Sequence, residues 1–176
     1  MMLALGSVPS FAADHLDCMN APMGEPEQTL LDRHHRAERG EDKRTEAVVA
    51  SLESRARVCG YLYGWSSNAT HLAFEHKWLE VQSALIPFEI SADEEQRLNA
   101  ALAPMRSRLL ALYDPAIEAV TRGENPPLLP YGVFRQFYPL LKEAKIPQNE
   151  SNESRVVLWL DNRGFREAVD AAFVKQ

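Results

Sequence analysis

The longest regular pattern of apolar positions in this chain runs from Ser91 to Gly123. Its apolar residues recur at alternating steps of four and three, which places them on one face of a helix. They are Leu98, Leu102, Met105, Leu109, Leu112 and Ala116, flanked by Leu110, Ile117 and Val120. Ser91 and Glu94 have the spacing of a capping box, and Gly123 is suited to end the helix. We therefore predict a long core helix on which the rest of the chain packs.

Two prolines lie inside this pattern, at positions 104 and 115. Proline lacks an N–H group and its ring clashes with the preceding helical turn, so each should kink or divide the helix. The residues that we expect to be most deeply buried are Leu102, Met105 and Leu109, at the middle of the apolar face.

Shorter periodic segments on both sides of this stretch predict further helices. They cover Glu25–Arg39, Glu41–Ser66, Ala69–Ile86, Tyr131–Lys145, Arg155–Leu160 and Phe165–Phe173, with a polar loop over Ile146–Ser154. Two of these segments, around Tyr61–Trp65 and Arg155–Leu160, also fit a short strand. The pattern as a whole favours an all-α fold, a compact bundle of about five to seven helices with antiparallel neighbours and a proline-kinked central helix.

Small residues recur at intervals of four in the second of these helices. They are Ala56, Gly60 and Gly64, which lie on one strip of the helix surface. Such a strip would allow another helix to approach closely, and the alternative is a helix end weakened by two glycines.

The N-terminus has part of the pattern of a secretory signal. Residues 1–8 are mostly apolar, and Ser10 and Ala12 place small residues where a signal peptidase reads them. A basic segment is missing, so either the start is assigned too late or the segment is not a signal but an apolar N-terminus. We interpret residues 1–13 as a signal-peptide remnant, followed by a single helical domain over 14–176. An exported chain would oxidise its two cysteines, and we predict a Cys18–Cys59 disulfide, whereas in the cytosol both would stay thiols.

Composition narrows the class of protein. Of the 176 residues, 45% are hydrophobic and 25% are charged, which is ordinary for a globular protein. The formal net charge of -6 disfavours nucleic acid as a partner, because a phosphate backbone would be repelled. No uninterrupted apolar run approaches the roughly 20 residues of a membrane span. We also find no fingerprint of a nucleotide, haem or flavin cofactor, and we predict none.

The helix predicted over Ala69–Ile86 has polar residues where the pattern predicts burial. Its two apolar stripes consist of Phe74, Trp78, Val81 and Leu85, and of Leu72, Leu79 and Ile86. Between these stripes lie His71, Glu75 and Gln82, whereas a second polar set should meet solvent on the far side. That second set is His76, Lys77, Glu80 and Ser83.

A carboxylate at position 75 would need a partner, because burying an unpaired charge is costly. Arg55 occupies an apolar position on the preceding helix, so we predict that Glu75 pairs with Arg55, His71 or both. Arg55, His71, Glu75 and Gln82 are therefore our predicted ligand-binding residues. The same cluster could instead be a structural polar network or an acid–base pair.

Metal binding has weaker support. Asp32 and His35 have the i, i+3 spacing of carboxylate-bridged metal bundles, but a real site repeats such pairs on facing helices. We predict no metal site and no catalytic residue. The function that the sequence favours is that of an exported, non-enzymatic helical protein that binds a protein partner or a small ligand. The alternative is a metal-binding protein or an enzyme that uses His71, Glu75 and Arg55.

Overall fold

The computed structural model describes residues 15–21, 28–29, 42–83 and 90–176. In the helix that begins at Asp42, side chains are described from residue 46 onward. Every regular element within these ranges is helical. The α-helices are α1 (Asp42–Tyr63), α2 (Ser67–Ser83), α3 (Ala92–Leu102), α4 (Arg106–Ala111), α5 (Asp114–Thr121), α6 (Pro139–Glu143) and α7 (Glu150–Phe173). Three 3-10 helices accompany them: η1 (Leu16–Asn20), η2 (Ala103–Met105) and η3 (Tyr131–Phe137). The predicted all-α bundle is confirmed.

Helix α2 is covered by several other elements. It packs against α1, α5, α7 and η1, so several of its faces are covered at once. The stretch from Ser91 to Gly123, predicted to organise the fold, contributes α3, α4 and α5. Of these, α3 packs on α6, α4 packs on α7, and α5 packs on both α2 and α7.

Burial on several faces also overturns the predicted solvent-facing side of α2. His76 and Lys77 are buried, not exposed. The Nδ1 atom of His76 lies 2.5 Å from Oδ1 of Asp170 on α7. The ammonium group of Lys77 donates to Oδ1 of Asn20 at 3.0 Å and to Glu80 at 2.9 Å. These polar groups enter the interior because each finds a partner there.

The stretch from Ser91 to Gly123 is divided as its prolines predict. Pro104 lies in η2, and Pro115 lies in the first turn of α5, where its missing N–H breaks no helical hydrogen bond. The capping box of Ser91 and Glu94 is formed. Gly123 ends α5 with a φ of +73°, and the N–H of Glu124 donates to the carbonyl of Ala119 at 3.0 Å.

Burial along this stretch follows the prediction in part. Leu102 and Leu109 are buried, whereas Met105 is only partly buried. Met105 belongs to the 3-10 turn η2, which changes the angular step between residues and rotates it away from the core.

The C-terminal region is one helix of 24 residues, α7, and not two short helices after a polar loop. The side chain of Asn149 accepts a hydrogen bond from the N–H of Asn152 and so caps the helix. The predicted loop is therefore correct only as far as Asn149. The alternative strands at Tyr61–Trp65 and Arg155–Leu160 are also wrong, because both segments are helical or continue a helix end.

Helix α7 connects two hydrophobic clusters. The larger cluster contains Leu98, Leu109, Phe137 and Leu160, and the second contains Ala56, Leu72 and Val169. Phe165 on α7 and Ile117 on α5 pack against both. The two clusters are therefore in contact along α7, and α2 belongs to the second of them.

Some predictions fall on residues that the structure does not describe. Three of them lie outside the described residues: the signal-peptide remnant over 1–13, the helix end predicted at Pro87, and the pair Asp32 and His35. The helix predicted over Glu25–Arg39 lies outside them too, apart from Gln28 and Thr29.

None of the described helices combines the length and the apolar composition that crossing a bilayer requires.

The predicted Cys18–Cys59 disulfide is confirmed, with the two Cα atoms 6.0 Å apart. It joins η1 to α1 across a sequence separation of 41 residues. The same contact region includes hydrogen bonds from the Arg55 guanidinium to the carbonyl of Ala21 at 2.6 Å and of Met19 at 3.5 Å. The disulfide therefore fixes the segment before the first long helix against the body of the fold.

Removing the disulfide should lower the free energy of unfolding by about 3–4 kcal/mol, because the unfolded chain regains the entropy of an open loop. The measurement is urea unfolding of the oxidised protein and of a Cys18→Ser/Cys59→Ser double variant. A reducing agent should destabilise the oxidised protein and leave the double variant unchanged. Equal stabilities of the two proteins would contradict this account.

Gly164 on α7 lies in tight contact with the α4–α5 region. A Cβ atom at this position would lie 2.6 Å from Cε2 of Tyr113 and 2.9 Å from Cγ of Leu109. Both of those side chains are fully buried, so neither can easily move away. Glycine is therefore required here by close packing and not by an unusual backbone angle.

Gly164→Ala should destabilise the protein by about 1–3 kcal/mol, although alanine is normally the better helix former. The matched control is Gly132→Ala, since no atom lies within 4 Å of a Cβ built at that position. Thermal and urea unfolding of both variants check the prediction. A Gly164→Ala protein as stable as wild type would show that α7 does not approach Leu109 this closely.

Candidate functional site

A pocket of about 560 Å³ lies between α1, α2 and the segment that follows α5. We call it the Glu75 pocket. Its lining comprises Glu53, Arg57, Gly60 and Tyr61 from α1; Trp65; Ser67, Thr70, His71, Phe74 and Glu75 from α2; and Val120, Gly123, Glu124, Asn125 and Pro126. Two of our four predicted ligand-binding residues, His71 and Glu75, are thus brought together at one open site.

The wall between α1 and α2 depends on small residues. A Cβ atom on Gly60 would lie 2.7 Å from Oγ1 of Thr70, so the two helices meet without room for a side chain. Ala56, one turn earlier, is also buried. The small-residue strip therefore brings α1 and α2 close together, as one of the two interpretations predicted. Gly64 has a different role, because it ends α1 with a φ of +66°.

A tight connection then turns the chain from α1 into α2. The N–H of Trp65 donates to the carbonyl of Gly60 at 2.9 Å. Oγ of Ser66 accepts a hydrogen bond from the N–H of Ala69 at 3.0 Å, which caps α2. This short turn places Trp65 in the pocket wall and makes α1 and α2 antiparallel neighbours.

The segment after α5 closes the third side of the pocket. Gly123 lies directly on the imidazole of His71, and a Cβ atom there would be 2.8 Å from Cε1 of the ring. Nδ1 of His71 is 3.4 Å from the carbonyl oxygen of Thr121. With a proton on Nδ1, the ring donates this hydrogen bond and leaves Nε2 as an acceptor. The position of His71 is therefore set by α5 and not by Glu75.

Glu75 is the most unusual side chain of the pocket. Its residue is only 7% exposed, and burial raises the pKa of its carboxyl from 4.5 to about 7. Within the described part of the chain, no cation offsets this effect, and Glu75 has no hydrogen bond or ion pair to another residue. The predicted burial is confirmed, but the predicted pairing with Arg55 or His71 is wrong.

The reason lies in the orientation of α1. Arg55 faces η1, where its guanidinium donates to backbone carbonyls, and it does not line the pocket. Arg57 lines the pocket instead, because two residues along a helix correspond to a rotation of about 200°. Gln82 is also outside the lining, since it lies about 10 Å further along α2 than Glu75.

The remaining charged groups of the lining have partners of their own. Nη2 of Arg57 lies 3.2 Å from Oε2 of Glu53 on the same helix. Arg122 makes two hydrogen bonds to Glu124, at 3.0 and 2.9 Å, and this contact lowers the pKa of the Glu124 carboxyl. Glu75 differs from both pairs because it is buried and has no cation beside it.

Aromatic side chains form the other part of the lining. Tyr61 is 89% exposed and stands at the mouth, Phe74 is partly buried, and Trp65 is buried. The Trp65 ring meets Phe173 edge-on, with centroids 5.2 Å apart. The indole Nε1 of Trp65 is buried without a hydrogen-bond partner among the described residues. The pocket thus combines aromatic surface with the Glu75 carboxyl group, which has no hydrogen-bond partner among the described residues.

Sequence reasoning missed Arg57, Tyr61, Trp65 and the segment over residues 124–126. The sequence did contain a signal for Arg57, Tyr61 and Trp65, since the aromatic cluster at positions 61–65 lies beside the small-residue strip. The contribution of residues 124–126 had no local signal, because it depends on where α5 ends in space.

Within the described ranges, no three His, Cys, Asp or Glu side chains lie close enough together to hold a metal ion.

Comparison with known proteins gives no relative: no family model matches the chain, and neither a curated protein nor a solved structure is significantly similar to it. The class of protein is therefore described by its own structure: an all-α, disulfide-bonded bundle with a buried acidic group in a pocket.

Replacing Glu75 tests its charge directly. A raised pKa means that the folded protein holds a proton that the unfolded chain has lost, so the associated stability is present below pH 4.5 and is lost as the pH rises through about 7. Glu75→Gln lacks this titration and should be more stable than wild type at pH 8, by up to roughly 3 kcal/mol.

The two proteins should be nearly equal in stability at pH 4.5, and urea unfolding at pH 4.5, 6 and 8 measures the difference. Glu46→Gln makes the same charge change at an exposed position of α1 and should show no pH-dependent difference. A Glu75→Gln protein that is less stable than wild type at pH 8 would mean that Glu75 has a stabilising cationic partner after all.

Proposed function

We propose that this protein is an exported, non-enzymatic helical protein that binds a small organic ligand in the Glu75 pocket. The observation that carries the proposal is the carboxyl group of Glu75, which is buried, has no partner among the described residues and lines a pocket of about 560 Å³. That volume lies within the range of about 300–1,000 Å³ typical of small-molecule sites.

The described part of the fold does not offset the free-energy cost of burying the Glu75 carboxylate. Desolvation of the Glu75 carboxyl disfavours its charged form, and no described residue supplies a compensating charge. The other buried polar side chains of α2, His76 and Lys77, do have partners. A perturbed group that faces a cleft is characteristic of functional sites, where a ligand provides the missing interaction.

The pocket has the composition of a ligand site as well as its size. Tyr61, Trp65 and Phe74 offer apolar and aromatic surface, while Glu75 and the Nε2 atom of His71 offer a small number of polar contacts. Polar groups set beside apolar and aromatic surface, as they are in this mixed lining, fix the orientation of a bound molecule. This arrangement favours a small ligand over a protein partner as the occupant of the site.

Export is supported by two independent features. The Cys18–Cys59 disulfide is of the kind that persists in oxidising compartments such as the periplasm or the extracellular space. The apolar N-terminal residues, with small residues at positions 10 and 12, have the pattern of the end of a signal peptide. We therefore place the protein in the periplasm or outside the cell.

An enzyme is the alternative function, and one observation favours it. A carboxyl group with a pKa of about 7 exchanges protons readily near neutral pH, as a general acid or base must. His71, one turn away on α2, would be the second proton-transfer group. Arg55 has no part in this alternative, since it faces η1. Turnover of a bound compound, followed by NMR, would favour the enzyme.

The test is a screen of aromatic fragments of mixed charge by two-dimensional NMR. Binders should shift the resonances of His71, Phe74 and the indole N–H of Trp65, and they should be recovered unchanged. Tyr61→Ala should weaken the binding of such a fragment by about 1 kcal/mol, through loss of aromatic contact. Leu62→Ala is the matched control, because Leu62 is the next residue, 64% exposed and outside the pocket.

Two results would count against the proposal. One is a screen in which no fragment shifts the pocket resonances. The other is an equal loss of affinity in the Tyr61→Ala and Leu62→Ala variants, which would place the binding site elsewhere.

A further inference from the structure

We propose that the ligand of the Glu75 pocket is a small organic cation, an amine on an apolar body, with the Glu75 carboxylate as its counter-ion. This inference rests on the proposed function and adds the chemical class of the ligand. It follows from the charges that face Glu75, from the aromatic lining and from the lack of a cation for Glu75 within the described chain.

The charges around Glu75 come from three elements. Helix α1 contributes Glu53 and Arg57, which are paired with each other. Helix α2 contributes His71, whose Nδ1 faces the Thr121 carbonyl. The segment after α5 contributes Glu124, which pairs with Arg122 outside the lining. The Glu53–Arg57 and Glu124–Arg122 pairs are each neutral, so the uncompensated charge among the described lining residues is that of the Glu75 carboxylate, which attracts a cation and repels an anion.

Of the lining carboxyl groups, Glu75 is the one without a partner in the described ranges of the chain. An ammonium group placed beside it would supply the charge that Arg55 was expected to provide, and a charged hydrogen bond to a buried carboxylate is among the stronger ones in proteins. Because Glu75 itself is buried, such a pair is screened less than an ion pair on the surface.

The aromatic residues fit the rest of such a molecule. Tyr61, Trp65 and Phe74 all line the pocket. Aromatic rings pack against apolar ligand groups and also attract cations through their electron-rich faces. An aromatic or aliphatic amine uses both properties at once, whereas a strongly hydrated inorganic ion would use neither.

A neutral ligand makes the opposite prediction for pH. A protonated Glu75 would donate a hydrogen bond to a ligand carbonyl or hydroxyl, and that binding would weaken as the pH rises. An amine needs the carboxylate, so its binding should strengthen as the pH rises and should release a proton. The sign of the pH dependence therefore separates the two ligand classes.

The experiment uses three probes of matched shape: 2-phenylethylamine, 2-phenylethanol and 3-phenylpropanoate. Isothermal titration of the full chain at pH 8 should show the amine binding at least about tenfold more tightly than the alcohol, the difference expected of a charged hydrogen bond. For the amine, affinity should rise about tenfold or more between pH 5.5 and pH 8, as Glu75 loses its proton. Titrations in buffers of different ionisation enthalpy should detect the released proton.

Three variants test whether Glu75 causes the preference for the amine and its pH dependence. Glu75→Gln should lose the preference for the amine and most of its pH dependence, and Glu46→Gln, an exposed site on α1, should keep both. Histidine is the other side chain that changes charge in this pH range, so the series is repeated on His71→Asn. Retention of the pH dependence in that variant assigns it to Glu75, and its loss there overturns the assignment.

The outcomes separate this inference from the proposed function. If the alcohol or the acid binds in the pocket as tightly as the amine, or if amine binding weakens as the pH rises, the cation is excluded and the ligand-binding function stands. If none of the three probes binds and the mixed fragment screen is also empty, the inference and the proposed function both fail.

Discussion

The burial of helix α2 on several faces is the constraint on which the rest of the structure depends. Helices α1, α5 and α7 and the short helix η1 all pack against it. A helix in that position can carry polar residues only if each of them is satisfied. His76 reaches Asp170 and Lys77 reaches Asn20, so the neighbours of α2 are held by specific polar contacts as well as by apolar packing. Glu75 is the exception, and the pocket forms beside it.

Much of the architecture was readable from the sequence because it depends on local signals. The capping box at Ser91, the breaks at Pro104 and Pro115 and the stop at Gly123 all involve residues a few positions apart. The disulfide was predictable for another reason, since two cysteines leave one pairing within the chain. The burial of Glu75 followed from its place between two apolar stripes.

The errors share a physical origin. Helical periodicity shows which faces of a helix are apolar, but it does not count the neighbours that the helix will have. Helix α2 was expected to have a solvent side, and α7 fills that side with Asp170 as a partner for His76. The same limitation placed Arg55 opposite Glu75, because the rotation of α1 about its axis is set by η1 and the disulfide. Long-range packing decides such questions.

The disulfide also has a consequence for how the protein matures. It joins a residue near the start of the described chain to one near the C-terminal end of α1, and no third cysteine competes for either thiol. Oxidation within one molecule therefore has a single product, and the chain needs an oxidant but no enzyme that reshuffles wrong pairings. The one error open to it is a bond between two copies of the chain, which would become more frequent as the concentration of unfolded chains rises.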